Sequence, residues 1–284
     1  MKITKGIEIE GISKIDRATL ANKMTNETEV LIQSENYNHS TRNHWKMVYD
    51  SSINTETDYR NDFELVSPIL ENLDDLKKIT DWFNSNEITK VNKSTGLHIH
   101  FGIDKAMDDA NLTPDQKLKA IKNLLITYTK FQDDINSILP MSRRKSNWAK
   151  RNDYKLRLRN ARTSPLKRYS KALNRCQTIR EIHTEVHGTR YTAINLTNFM
   201  SNGTIEFRQH SSSQDFLKIQ KWIELLETMI ELAIKKAKAN KAISPAMKAE
   251  NSFDQLFKRR LSNDSYRYFL NRRAELNPEN EVTI

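Results

Sequence analysis

The sequence has 284 residues, 37% hydrophobic and 29% charged with few Gly and Pro, which excludes a disordered or fibrous chain and predicts a soluble globular one. Its single cysteine, Cys176, excludes an intramolecular disulfide and a thiolate-rich metal centre, and is expected to be a structural thiol. Forty-six Lys and Arg against 36 Asp and Glu give a formal charge of +10, which favours nucleic acid, nucleotide or another acidic partner without choosing among them.

The first eight residues contain no apolar signal core, and no stretch approaches the roughly 18 apolar residues that span a bilayer, so no membrane association and a cytoplasmic location are expected. Residues 3–12 alternate as a strand with Glu8 and Glu10 on one face and Ile7 and Ile9 on the other. Residues 45–50 and 63–67 are further strands, the second bearing Glu64. Residues 95–103 form a fourth, with His98 and His100 in phase between Leu97 and Ile99. Thr113 and Pro114 then open a long amphipathic helix whose apolar positions, from Leu118 to Ile138, recur at helical spacing up to Pro140.

From 143 to 168 run eleven Lys or Arg residues and one acid, Asp153, with Trp148 and Tyr154 among them. Such a run is either a solvated helix face or a binding surface, with Arg143, Arg144 and Arg151 as candidates for phosphate. Arg190 is another. Residues 191–199 and 204–210 are expected as a hairpin of strands, the last carrying Glu206, Arg208 and His210 in phase. After Ser211, Ser212 and Ser213 a helix follows with Asp215 in its first turn and lysines in its last. Ser244 and Pro245 mark a boundary before two short helices. The expected domains are therefore 1–244, including a basic helical insertion over 105–188, and a helical tail over 245–284.

Strands and helices without regular alternation predict an α+β fold, an antiparallel sheet of about six strands with helices on one face. The other face would gather carboxylates and imidazoles, which repel one another unless cations neutralise them, and an oxygen-rich set of this kind suits Mg²⁺ or Mn²⁺. Any one motif alone also fits an ordinary half-exposed strand; their joint phase is what favours a site.

The motifs at Gly6 to Glu10, Trp45 to Ile53, Phe63 to Leu70, Ser94 to His100, Arg190 to Leu196 and Gly203 to His210 resemble, in order, those of the amidoligase family. That family is similar in fold to glutamine synthetase and glutamate-cysteine ligase. The resemblance implies a curved half-barrel sheet, helices on its convex face, and ATP and divalent metal in its concavity. It implies Glu8, Glu10, Glu64, His98 and Glu206 as metal ligands, with Glu206 and Arg208 in the chemistry and Arg208 facing the nucleotide phosphates. Asp50, His100, Asn195 and His210 are weaker candidates that line the site. The expected activity is a ligase joining a carboxylate to an amine through an acyl phosphate, with ATP and Mg²⁺ (or Mn²⁺), on small molecules or on a protein, peptide or other macromolecule. The alternatives are a nucleic-acid-binding protein acting through the basic insertion, and a phosphotransferase acting on guanidino groups.

Overall fold

The computed structural model describes residues 2–157, 162–246 and 252–278, so Arg159 of the basic run lies outside the described residues. The chain clusters into two compact units: residues 2–101 with 207–220, and residues 102–206 with 221–284. The architecture is α+β with an open sheet.

In the first unit, β1 (Lys5–Ser13) is central. It pairs antiparallel with β4 (Asn61–Val66) on one side and β6 (Gly96–Phe101) on the other, and its end also meets the short β5 (Thr89–Lys90). The order is β2 (Ile32–Ser34), β3 (Trp45–Val48), β4, β1, β6 and β8 (Ile205–Ser211). Helix α1 (Arg17–Thr28) lies against β2, β3 and β4, and α2 (Asp74–Ser85) lies against α1. Asp16 caps α1 by accepting from Thr19 N at 3.0 Å, and Asp74 and Asp75 complement the dipole of α2.

The helices cover the apolar sheet face. Ile7, Ile9, Phe63, Leu65, Leu97 and Ile99 are all at most 1% exposed, and Phe63 stacks on Phe83 of α2 at 6.2 Å. Burying such a side chain contributes about 1.5–3 kcal/mol, so this layer fixes which way β1 and β4 face. Gly11 is part of the same fit: it lies opposite Phe63, and a Cβ there would collide with the ring.

The second unit is largely helical. It contains α3 (Ile103–Asp109), α4 (Pro114–Lys130), α5 (Gln132–Ser137), α6 (Met141–Arg144), α7 (Pro165–Arg175) and α8 (Ile179–Glu181), which runs into a π-helical turn at Ile182–His187. It also holds the short β7 (Ile194–Asn195), α9 (Phe199–Asn202), α11 (Ser252–Leu256) and α12 (Asn263–Leu276). α10 (Phe216–Lys238) begins in the first unit and runs into this one. The tail helices are tied in by Ser265 Oγ to Glu224 (2.6 Å), Ser252 Oγ to Asp134 (2.9 Å) and Arg144 to Asn277 (2.9 Å).

Several expectations need correction. The sheet has more than six strands, and β2–β3 is parallel, not antiparallel. The helix expected to reach Pro140 stops at Lys130. Thr113 caps it with Pro114 at its first position as expected, and Gln116 completes a capping box, but Thr127 Oγ1 bonds back to Asn123 O, and Phe131 leaves helical geometry before α5 restarts with Asp133 and Asp134 in its first turn. The strand expected over 191–199 is regular only at Ile194–Asn195, because Asn198 is already helical and α9 with Gly203 (φ 65°) makes the turn. Asp215 stands before α10, accepting from Lys218 N, rather than inside its first turn.

Cys176 is buried, as expected for a structural thiol, and burial raises its pKa. His187 is also fully buried, with Nε2 at 2.7 Å from Tyr169 Oη and the two rings stacked. Burial, reinforced by His183 and Lys155, pushes its pKa down to about 3. The folded pKa lies below the unfolded value of about 6.5, so the stabilisation is complete above that pH and is lost as pH falls toward 3, at about 1.4 kcal/mol per pH unit. We expect unfolding free energy to decline with this extra slope between pH 6.5 and 4.5, and His187→Gln to remove it. Equal slopes in chemical denaturation of the two proteins would contradict the assignment.

Candidate active site

Strand alternation places Glu8 and Glu10 of β1, Asp62 and Glu64 of β4, and His98 and His100 of β6 on the sheet face opposite the Ile7, Phe63 and Ile99 layer. Register then determines who meets whom. Glu10 lies directly across from Glu64, Glu8 across from His98, and Gly6 across from His100.

One ligand atom each from Glu10, Glu64 and His98 lie within 4.8 Å of one another, and all three residues are buried. His98 bridges the two glutamates of β1, with Nδ1 at 3.0 Å from Glu8 Oε2 and Nε2 at 3.5 Å from Glu10 Oε1. His100 Nε2 stands 3.0 Å from the other oxygen of Glu8. Burial pushes the Glu8 pKa up, but the charge and hydrogen bond of His100, with those of His98, outweigh it and hold the carboxylate well below its usual range. Glu8 is therefore ionised at neutral pH.

Two buried carboxylates directly opposite on adjacent strands repel each other. With an imidazole at the same point they form the mixed oxygen and nitrogen donor set that a hard divalent cation takes, so the residues fit such an ion. The backbone beneath them is fixed: Gly96 N donates to Glu10 Oε2 at 2.5 Å, and Ser212 Oγ donates to Glu10 O. Thr95 shapes the loop that presents Gly96, accepting from Asn92 N at 3.0 Å and donating to Asn92 O at 2.8 Å.

On β8, Phe207 meets Phe101 edge to face at 5.7 Å on the apolar side. Arg208 and His210 therefore point to the acidic side, with Glu206 in phase with them. His210 Nδ1 lies 2.6 Å from Ser211 O. Within the second unit, the buried Glu206 accepts from Asn195 Nδ2 at 2.7 Å, which fixes its carboxylate.

The family model described as "Putative amidoligase enzyme" matches residues 1–230. The chain belongs to the amidoligase family. Membership implies a ligase enzyme of the amide-bond-forming kind, and no helix among the described residues is long and apolar enough to cross a membrane. A comparison with curated proteins gives no match.

In this amidoligase the weaker candidate Asp50 and the four arginines offered for phosphate divide. Asp50 builds a turn, accepting from Ser52 N at 2.7 Å while its own N–H donates to Asp62 Oδ1. Arg144 donates to Leu139 O, Asn277 Oδ1 and Leu276 O, and Arg151 pairs with Asp133 and Asp153, so both guanidinium groups support the second unit's own structure. Arg143 is buried in α6, and Arg190 is exposed over the Tyr191 ring.

Sequence reasoning missed Lys46, which shares the acidic face through its register opposite Val66 and is only 4% exposed. Its ammonium donates to Asn38 O, Asn38 Oδ1 and Ser40 O. Burial lowers its pKa, while the carboxylates of Glu35, Glu64 and Glu8 pull the other way. Glu35 binds the same loop through Arg42, Asn38 and His44, and the Arg42 guanidinium, with help from the other two, holds its pKa down to about 2 against burial. The signal was present: Lys46 is the one charged residue in the strand Trp45–Val48.

Proposed function

We propose that this amidoligase joins a carboxylate to an amine, driven by ATP, with a divalent cation (Mg²⁺ or Mn²⁺) held by Glu10, Glu64 and His98 and supported by Glu8. The observation that carries this reading is the buried Glu10–Glu64 pair facing His98 across the central strands.

A carboxylate is a poor electrophile and must first be activated; transfer of the γ-phosphoryl group from ATP gives an acyl phosphate, and attack by the amine then releases phosphate and leaves the amide. A cation held by Glu10, Glu64 and His98 would supply positive charge to offset the phosphate oxygens as two anions approach. Arg208 presents its planar fork to the same phosphates and stabilises charge on the departing nucleotide. Glu8 contributes as an ionised group and not as an acid, and His98 and His100 orient it. The hydrogen bond from Asn195 fixes the carboxylate of Glu206.

The test is mass spectrometry of a metabolite and peptide extract incubated with protein, ATP and Mg²⁺. The expected result is a product equal to two reactants less one water, with ADP and phosphate formed, and none in chelator. A phosphorylated product without an amide would replace the reading with phosphotransfer. Product formation undiminished by chelator would refute the metal role.

A further inference from the structure

Of the four tryptophans, Trp45, Trp82 and Trp222 are buried, whereas Trp148, inside the basic run, is 49% exposed. What sets it apart is its company of aromatic rings and cations. Trp148 packs edge to face against Tyr191 at 5.0 Å, and the Arg190 guanidinium carbon lies 5.1 Å from the centre of the Tyr191 ring. Two residues along the chain from Trp148, the Lys150 ammonium lies 5.3 Å from the centre of Tyr154.

A backbone bridge ties the two sides of this surface together. Lys150 N donates to Tyr191 O at 2.9 Å and Ala193 N to Lys150 O at 2.7 Å, a parallel bridge that locks the Trp148 segment to the Tyr191 segment. Ala149 and Thr192 point inward from the two sides of that bridge and are buried. Exposed Lys145, Lys155 and Arg157 lie in the same stretch of chain. Arg157 pairs with Asp153, and Arg190 donates to Tyr191 Oη at 3.2 Å, which keeps its guanidinium beside that ring.

We propose that this surface of the second unit binds single-stranded nucleic acid, with a base stacked on Trp148 and the flanking phosphates met by Arg190, Lys150 and Lys145. Aromatic faces interleaved with cations match a polymer whose flat bases alternate with phosphates. A duplex hides its bases from an indole, and an acidic peptide offers charge without a flat ring. The net charge of +10 draws such a polyanion in. This proposal stands independently of the ligase chemistry.

The experiment titrates the full chain with fluorescein-labelled oligothymidylate in low salt, followed by anisotropy, and with unlabelled oligothymidylate followed by tryptophan emission. The expected result is binding that weakens steeply with salt, with emission quenched as the exposed indole stacks. Trp148→Ala weakens affinity about tenfold or more, and Trp148→Phe retains most of it. Trp148→Ala is expected to keep the wild-type circular dichroism, since the side chain is half exposed. Absence of binding at low salt overturns the proposal. So does equal competition by polyglutamate or duplex DNA together with unchanged affinity in Trp148→Ala, which would mark a surface that reads charge alone.

Discussion

Glu64→Gln is expected to lower the ligation rate about a hundredfold or more while leaving the fold intact. The substitution keeps the shape of the side chain and removes the negative charge that, with Glu10 and His98, makes the donor set. Its effect on stability has the opposite sign from that of an ordinary core mutation. In chelator the wild-type protein keeps two carboxylates opposed across β1 and β4, a repulsion worth about 0.2–1 kcal/mol in exposed pairs. The variant should therefore melt at the same temperature or slightly higher. Saturating Mn²⁺ should stabilise the wild type, by ~2.7 kcal/mol at a hundred times the dissociation constant, and the variant far less. Calorimetric scans with chelator and with Mn²⁺ measure both effects. A variant less stable than wild type in chelator and equally stabilised by Mn²⁺ would show that Glu64 serves the fold and not the ion.

Arg208→Lys is expected to cost about 3–4 kcal/mol of transition-state stabilisation, roughly two to three orders of magnitude in kcat, with a smaller change in KM for ATP. Lysine preserves the charge, so the loss would be that of the fork, which binds two oxygens of one phosphate in a fixed plane. Arg208 stands on a strand anchored by the Phe207–Phe101 contact beneath it, which the substitution leaves in place. Steady-state kinetics with unchanged circular dichroism is the readout. A Lys variant with full kcat, or one whose whole loss lies in KM, would place Arg208 at ground-state binding and remove it from the chemistry.

The faces of the strands were legible in the sequence because alternation is local: Ile7, Ile9, Leu97, Ile99 and Phe207 declare the inner side, and Glu8, Glu10, His98 and Arg208 follow on the other. Register was not, because it is long-range. Nothing near Glu10 says that Glu64, 54 positions later in the chain, will sit opposite it. The partners within the basic run were hidden in the same way: nothing near Arg144 says that Asn277, 133 positions later, accepts from it, and nothing near Arg151 says that it pairs with Asp133. The parallel pairing of β2 and β3 was hidden by the brevity of β2, three residues with no alternation to detect. Lys46 lies inside one of the motifs yet shows its role only through the fold, which sets its charge near Glu64 and its ammonium on the 38–40 loop, and Ser212 shows its role only through its bond to Glu10 O.

Because β2 and β3 run in the same direction, the chain from 35 to 44 must travel back the length of the strands before β3 can begin. It returns on the acidic side, secured at two points, by Glu35 and by the Lys46 ammonium. The opposed carboxylates of β1 and β4 and the loop beside them thus belong to separate stretches of polypeptide. Three residues of the return hold both moorings, Asn38 and Arg42 on Glu35 and Asn38 and Ser40 on Lys46, so replacing those three is expected to loosen the loop while the register of β1, β4 and β6, set by backbone pairing, stays as it is.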